Sequence, residues 1–318
     1  MATSSVGNRG PGQADMVAQV ERMVYQLYQG QDSESRSVAD QWLQSLQNSE
    51  QAWSLSWTLL QHQEVAVRNF GALMLHNKIS KSWSELPREQ YEGLRVELFS
   101  EIARSSGQGP RLVLIQLCRC LVAFAFATVP DIWPNTVVSM VHSLRDATRS
   151  IQDSDFPTSV LQLLTILPEE YERTSEQMVA AKRGAIRREL KNGLPTVLSL
   201  LEEVLVSAGS DAVKIDAMKC FSSWVEFGLP LPEVQGFVGQ LLQGLVNDEL
   251  FTQACNTLAD IVSKEESLKY PTALRNILRQ VTKLGELCEK KLGSGDKEEA
   301  ATLCRMLVEV VSGNMSVL

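Results

Sequence analysis

The chain has 318 residues, 44% of them hydrophobic and 21% charged, the balance of a globular protein with enough apolar mass for a large core or two domains. It carries 30 Lys and Arg against 38 Asp and Glu, a formal charge of -8 and a pI near 5.1. That balance excludes a general nucleic-acid or anionic-membrane binder, which needs clustered cations, and suits a basic partner instead.

Residues 1–14, MATSSVGNRGPGQA, are rich in Ser, Gly and Pro and lack an apolar h-region. They read as a disordered tail without a secretory signal, which places the chain in the cytosol at synthesis. Beyond them amphipathic helical segments follow one another, and no period-two run stands between Asn-Gly or Asp-Gly turns. The predicted breaks are SELP (84–87), SSGQGP (105–110), TVPDIWP (128–134), FP (156–157), LPEE (167–170), NGLP (192–195), FGLPLP (227–232), KYP (269–271) and GSGD (293–296). Proline just after a break restarts a helix, because its fixed φ suits the first turn and its missing N–H costs nothing there. The predicted fold class is all-α.

The first helices set a pattern that recurs. Ala39 is followed by Trp42 and Leu46 at +3 and +7, and Ala72 by Leu75 and Ile79 at the same offsets. Around Ala72 the segment 68–83, RNFGALMLHNKISKSW, is apolar in two directions: Ala72, Leu75, Ile79 and Trp83 share one arc of an ideal helix, and Ala66, Phe70, Leu73 and Met74 share another. One neighbour cannot cover both. The polar remainder is Arg68, Asn69, His76, Asn77, Lys78 and Ser80.

Farther along, LVLIQLCRCLVAFAFATV (112–129) is nearly long enough to span a bilayer, but Arg119 near its middle would cost about 2.5–3.5 kcal/mol there. It reads instead as a helix buried between helices, with Gln116 and Arg119 aimed at a groove or partner. The stretch 168–194 carries both signs of charge and reads as a helical insertion. Its like-charged pairs, Glu172 with Glu176 and Arg183 with Arg187, imply a solvated or partner-bound segment, and Lys182, Arg183, Arg187 and Arg188 form a basic cluster. The small-then-large pattern returns at Ala217 (Cys220, Trp224), Ala254 (Thr257, Leu258, Ile261) and Ala301 (Cys304, Val308).

Spacings of 33, 37 and 47 residues between these alanines fall near the helical-repeat range. The parse is an α-solenoid of seven helical hairpins, HEAT-like antiparallel helix pairs whose second helices pack on their own first helix and on adjacent repeats. Second helices line the concave face of such a stack. Their polar residues are either solvated or a partner site.

No catalytic, cofactor or metal constellation is present in the sequence pattern. His62, His76 and His142 lie on separate repeats, and nucleophile-elbow, Walker and dinucleotide fingerprints are missing. Cys118, Cys120, Cys220, Cys255, Cys288 and Cys304 sit in apolar runs without a CxxC pair and read as reduced core thiols.

The runs LYQGQDSESRSVADQWLQSLQNSEQAWSLSWTLL, EVAVRNFGALMLHNKISKSWSELP and REQYEGLRVELFSEI resemble the N-terminal region of importin-β superfamily nuclear transport receptors, the karyopherins. PDIWPNTVVSMV (130–141) and LTILPEEYER (164–173) narrow the resemblance to the branch of transportin-3 and importin-13. The resemblance implies a right-handed superhelix of HEAT repeats that is not an enzyme and has no cofactor. It implies a Ran-binding N-terminal region over 15–104 that includes the start of repeat 3, with repeats 3–7 continuing through 105–318. It implies binding of the GTP form of Ran GTPase, of protein cargo (basic, by charge complementarity) and of nuclear pore proteins, without direct contact to nucleic acid or membrane, in a receptor shuttling between cytoplasm and nucleus. On helix phase, the implied Ran-contacting residues are Arg36, Asp40, Gln44, Asn69, Leu73, His76 and Asn77, with Gln116 and Arg119 from the third repeat.

Such receptors are much longer, whereas this chain stops at VVSGNMSVL without a polar capping repeat. The expectation is a chain truncated at the C-terminus, a self-associating fragment whose last hairpin exposes Leu303, Leu307 and Val310. A HEAT-repeat scaffold with no transport role is the alternative.

Overall fold

A computed structural model describes residues 11–107 and 109–313 of the chain. Among these, every regular element is helical. In chain order they are α1 (Pro11–Gln29), α2 (Ser33–Gln47), α3 (Ala52–Leu60), α4 (Val65–Ser82), α5 (Tyr91–Ser106), α6 (Arg111–Thr128), α7 (Thr136–Ser150) and α8 (Phe156–Ser175). They continue as α9 (Ala180–Ser207), α10 (Asp211–Phe227), α11 (Leu231–Gly244), α12 (Asp248–Ser263), α13 (Pro271–Thr282), α14 (Gly285–Ser294) and α15 (Lys297–Gly313). Of the expected tail, residues 1–10 lie outside the described residues, and helix α1 already begins at Pro11.

Local signals account for most boundaries. The Asp32 carboxylate caps α2 by accepting from the Ser35 N–H at 2.6 Å, and this bond holds its carboxyl below the ordinary range. Asn247 caps α12 through the Glu249 N–H at 2.9 Å. Pro271 opens α13 and Pro232 sits in the first turn of α11. Helix α10 ends on Gly228 at φ 103°, a left-handed conformation that a side chain would strain.

Two expected breaks are not breaks. Pro168 lies inside α8 and Pro195 inside α9, a continuous helix of 28 residues. A mid-helix proline costs about 3 kcal/mol. Here Leu163, Leu164, Ile166 and Leu167 around the first, and Leu194, Val197, Leu200 and Leu201 around the second, are all buried and outweigh that cost. The charged stretch expected as an insertion accordingly forms the end of α8 and the first half of α9.

The molecule divides into two compact units, one reaching to Trp133 and taking in His142–Phe156, the other made of Pro134–Val141 and the chain from Pro157 onward. In the first unit α1–α2, α3–α4 and α5–α6 pack as pairs across connections of three or four residues. Helix α4 packs on α3, on α2 and on α6, so the second helices of successive pairs adjoin. Both apolar arcs of α4 are thereby used. Val67, Phe70 and Met74 join Val17, Val20 and Val24 of α1, Leu43 and Leu46 of α2 and Leu55 and Leu59 of α3 in one core. On the other side the Cys120 thiol of α6 donates to the Ala72 carbonyl at 3.4 Å.

The close approach of α4 to α3 is made at Gly71, where a Cβ would fall 2.8 Å from Leu59 Cβ and 3.0 Å from the Ser56 carbonyl oxygen. Helix α6, the segment apolar enough to cross a membrane, is two-thirds buried in this unit. Trp133 of the PDIWP run closes the unit, edge-on to Phe99 at 6.1 Å and under the Arg95 guanidinium at 5.0 Å.

The second unit repeats the scheme. Pairs α9–α10 and α11–α12 form, and α10, α12 and α15 adjoin as second helices. The Trp224 indole N–H of α10 donates to the Leu164 carbonyl of α8 at 3.0 Å. The side-by-side second helices in each unit are the arrangement of an α-solenoid built from HEAT repeats.

The alanine phase holds at Ala39, Ala72, Ala217 and Ala254, each fully buried. It slips by one in α15: Ala301 and Cys304 are exposed, and the buried stripe is Ala300, Leu303, Met306 and Val310. Leu303 and Val310, expected on an open end, are therefore core residues packed within the unit.

Candidate protein-binding face

Among the described residues, packing leaves α2 and α4 one strip each that no helix covers. On α2 this strip carries Arg36 and Gln44, both exposed, and Asp40, half-buried. The Gln44 amide donates to the Asp40 carboxylate at 2.8 Å, and Arg36 Nε reaches the Asp32 carbonyl at 3.4 Å. On α4 the half-buried Leu73, His76 and Asn77 follow one another around the strip, with exposed Ser80 a turn beyond. Asn77 Nδ2 donates to Gln47 Oε1 of α2 at 3.4 Å, and Ser80 Oγ lies 3.4 Å from His76 Nε2.

The structure thus brings Arg36, Asp40 and Gln44 onto one helix, Leu73, His76 and Asn77 onto its neighbour, and joins them through Gln47. Asn69 and Gln116 are not on this surface. Each is about as buried as the core, at 7% exposure, and Asn69 Oδ1 makes no hydrogen bond among the described residues. Arg119 is half-buried on α6, between the buried Cys118 and Cys120.

Lys78, which the polar pattern grouped with these residues, is fully buried. Its ammonium bonds the Glu85 carboxylate at 2.6 Å, the Trp53 indole N–H donates to the same carboxylate at 3.2 Å, and the Trp53 ring lies 5.8 Å from the ammonium. The Lys78 hydrogen bond holds the Glu85 carboxyl below its ordinary range. This cluster fixes the end of α4 and is structural. Sequence pattern missed it because Trp53, Lys78 and Glu85 come from three separate elements.

In the second unit the basic cluster of α9 is partly spent on packing: the Arg187 guanidinium lies 5.8 Å over the Phe227 ring, while Arg183 and Arg188 stay exposed.

No group of titratable side chains among the described residues has the spacing of a metal site. What the α2–α4 strip can do chemically is hydrogen-bond. It offers amides, an imidazole, a carboxylate and a guanidinium around Leu73, a composition suited to a protein surface.

The Importin-beta N-terminal domain family matches residues 39–103, and the Exportin 1-like protein family matches residues 110–258. Importin-13 of Mus musculus and Importin-13 of Homo sapiens are each 33% identical over 294 residues, 92% of this chain and 30% of the relative. Transportin MOS14 of Arabidopsis thaliana is 25% identical over 252 residues, 76% of this chain and 25% of that protein. The chain therefore spans about 30% of the length of the Importin-13 relatives that it matches. Asp40, Gln44, Asn69, Leu73, His76 and Asn77 fall inside the first match, and Gln116 and Arg119 inside the second. With two domains of one superfamily in order along an all-helical repeat fold, and a third of its residues shared with Importin-13 across nearly its whole length, the chain belongs to the importin-β superfamily, in its importin-13 branch.

Proposed function

We propose that the chain serves nucleocytoplasmic protein transport as part of a nuclear transport receptor, binding the GTP form of Ran through the α2–α4 strip. The observation that carries this reading is the coincidence of the Importin-beta N-terminal domain match with the uncovered polar strip. Arg36, Asp40, Gln44, Leu73, His76 and Asn77 form the contact surface. Arg119 adds a contact from α6, and Asn69 and Gln116 support the helices from beneath. The acidic balance of the chain suits basic protein cargo, by steering more than by affinity. Contacts with nuclear pore proteins and movement between cytoplasm and nucleus complete the proposal, which contains no enzymatic step.

The test is the affinity of the chain for Ran loaded with a non-hydrolysable GTP analogue against Ran loaded with GDP. Asp40→Lys and Asn77→Lys variants are measured alongside, with circular dichroism to confirm the fold. The reading requires preference for the GTP form and at least about tenfold weaker binding in each variant, a loss of about 1.4 kcal/mol. Equal or no binding to both forms refutes it and leaves a HEAT-repeat scaffold.

A further inference from the structure

One pair of side chains lies away from the α2–α4 strip, at the edge of the second unit's core. Cys288 on α14 and Cys304 on α15 face each other across the turn at Gly295, with their sulfurs 2.9 Å apart. Both are free thiols, and they differ in environment: Cys288 is buried and Cys304 is exposed. We propose that Cys288 and Cys304 are a peroxide-responsive dithiol, which oxidises reversibly to a disulfide that clamps α14 to α15.

The division of labour follows from the geometry. The Cys288 thiol donates to the Ala300 carbonyl at 3.7 Å and shares a hydrogen bond with the Cys304 thiol in which either sulfur can donate. The hydrogen bond with Cys304, ahead of burial, pushes the Cys288 thiol up to about 11, which disfavours it as the first sulfur to react. Cys304 is the exposed member of the pair, open to an oxidant, whereas Cys288 is shielded behind it. Cys304 is therefore the sulfur that meets an oxidant from solvent, and Cys288 the sulfur that resolves it.

The other cysteines are unsuited. Burial pushes the thiols of Cys118 and Cys120 far up, and those of Cys220 and Cys255 up to about 12. None of these four is exposed.

The reaction balances with hydrogen peroxide as the oxidant. The Cys304 thiolate attacks one peroxide oxygen and the O–O bond breaks; the departing hydroxide takes the Cys304 proton and leaves as water, giving a sulfenic acid. The Cys288 sulfur then attacks the Cys304 sulfur, and the S–O bond breaks. Hydroxide leaves with the Cys288 proton as a second water. Two thiols are oxidised by two electrons in all, and one peroxide is reduced to two waters. A thiol reductant reverses the step by exchange.

The clamp acts where the terminal hairpin is tied down. The Lys291 ammonium, one turn beyond Cys288, bonds Glu299 of α15 and Asp248 of α12 at 3.2 Å. Its ammonium also lies 5.5 Å from the Phe251 ring of α12. Oxidation would fix α14 and α15 relative to each other and so hold Lys291 on α12. Cytosolic disulfides are mostly transient and redox-sensing, which is the use a half-exposed pair on adjoining helices fits.

The experiment treats the reduced full chain with a few equivalents of hydrogen peroxide, then maps its tryptic peptides without reduction. The expected product links the peptide 284–290 to the peptide 298–305, with the free-thiol count falling from six by two. In C288S, dimedone traps a sulfenic acid at Cys304. In C304S, oxidation at Cys288 slows by at least about tenfold, because its sulfur is buried away from solvent. Dithiothreitol restores the starting thiol count in the wild type. Unlinked peptides, a disulfide joining two chains through Cys304, or undiminished oxidation of Cys288 in C304S would each overturn the proposal. The readout is covalent and independent of Ran, so failure here is separable from failure of the transport reading.

Discussion

Gly71→Ala is a sharp test of how α4 is seated. Alanine in a helix interior is ordinarily preferred to glycine by about 0.5–1 kcal/mol, because glycine gives up more backbone freedom on folding. At Gly71 the new methyl would meet Leu59 Cβ at 2.8 Å, the Ser56 carbonyl oxygen at 3.0 Å and the Leu60 nitrogen at 3.2 Å. Two of those atoms are backbone and cannot rotate aside. Restoring ordinary contact at about 3.5–4 Å means parting α3 from α4 by most of an ångström, and forced overpacking of this kind costs about 1–3 kcal/mol. The clash outweighs the propensity, and the net change is a loss of about 1–2 kcal/mol. Gly239 of α11 supplies the control, since a Cβ there meets nothing within 4 Å. Thermal melts of the two variants should move in opposite directions, Gly71→Ala downward by about 2–8 °C and Gly239→Ala upward or not at all. A Gly71→Ala protein as stable as the Gly239→Ala protein would refute the reasoning.

The buried Lys78 and its partner make an asymmetric pair. Glu85→Gln leaves a buried ammonium without its anion, whereas Lys78→Met leaves a half-exposed carboxylate that water solvates, so Glu85→Gln should lower the melting temperature more. The Glu85 carboxyl is held below its ordinary value of 4.5 in the folded state, so its contribution is present above that pH and is lost as pH falls through the lower folded value. Acid titration of stability should show this component in the wild type and not in Lys78→Met. Trp224→Phe removes the indole N–H that donates to the Leu164 carbonyl and leaves a small void in a fully buried site. Denaturant unfolding should show a loss of about 1.5–3 kcal/mol.

How much of this was legible in the sequence depended on how local each signal was. The alanine positions of α2, α4, α10 and α12 were readable because a small residue with large ones at +3 and +7 leaves a single helical phase. In α15 the run AATLCRMLVEVV is apolar in nearly every direction, so Ala300 and Ala301 satisfy the pattern about equally. Only packing on α12 and α14 decides for Ala300. Pro168 and Pro195 were misread because proline preference is local and the burial that overrides it is not. Asn69 and Gln116 were assigned to the partner-facing side by helix phase and Lys78 was only grouped with the polar remainder, and the Glu85 that satisfies Lys78 comes from beyond the end of α4. Cys288 and Cys304 lie 16 residues apart in sequence, and it takes the α14–α15 turn to bring them together.

The candidate strip itself carries a prediction through its charge. Of its residues Arg36 and Asp40 are charged and of opposite sign, and the rest are amides, an imidazole and a leucine. Recognition here therefore rests on hydrogen bonds and fit, and the strip offers a partner little long-range field. On the proposed Ran complex, Asp40→Lys and Asn77→Lys then weaken binding by different means. Asp40→Lys changes the charge of a partly solvated site by two units and removes the carboxylate that holds Gln44, so part of its penalty is screened as the Debye length falls from about 8 Å at physiological salt to about 3 Å at 1 M. Asn77→Lys replaces a half-buried amide that bonds Gln47 with a longer side chain and adds one unit of charge, so more of its penalty is steric and less of it is relieved by salt. Affinities measured at low and high salt should show the Asp40→Lys penalty shrinking by a clearly larger factor than that of Asn77→Lys. Equal salt dependence for both variants would mean that the strip acts through its summed charge, and that the hydrogen bonds across α2 and α4 have no part in recognition.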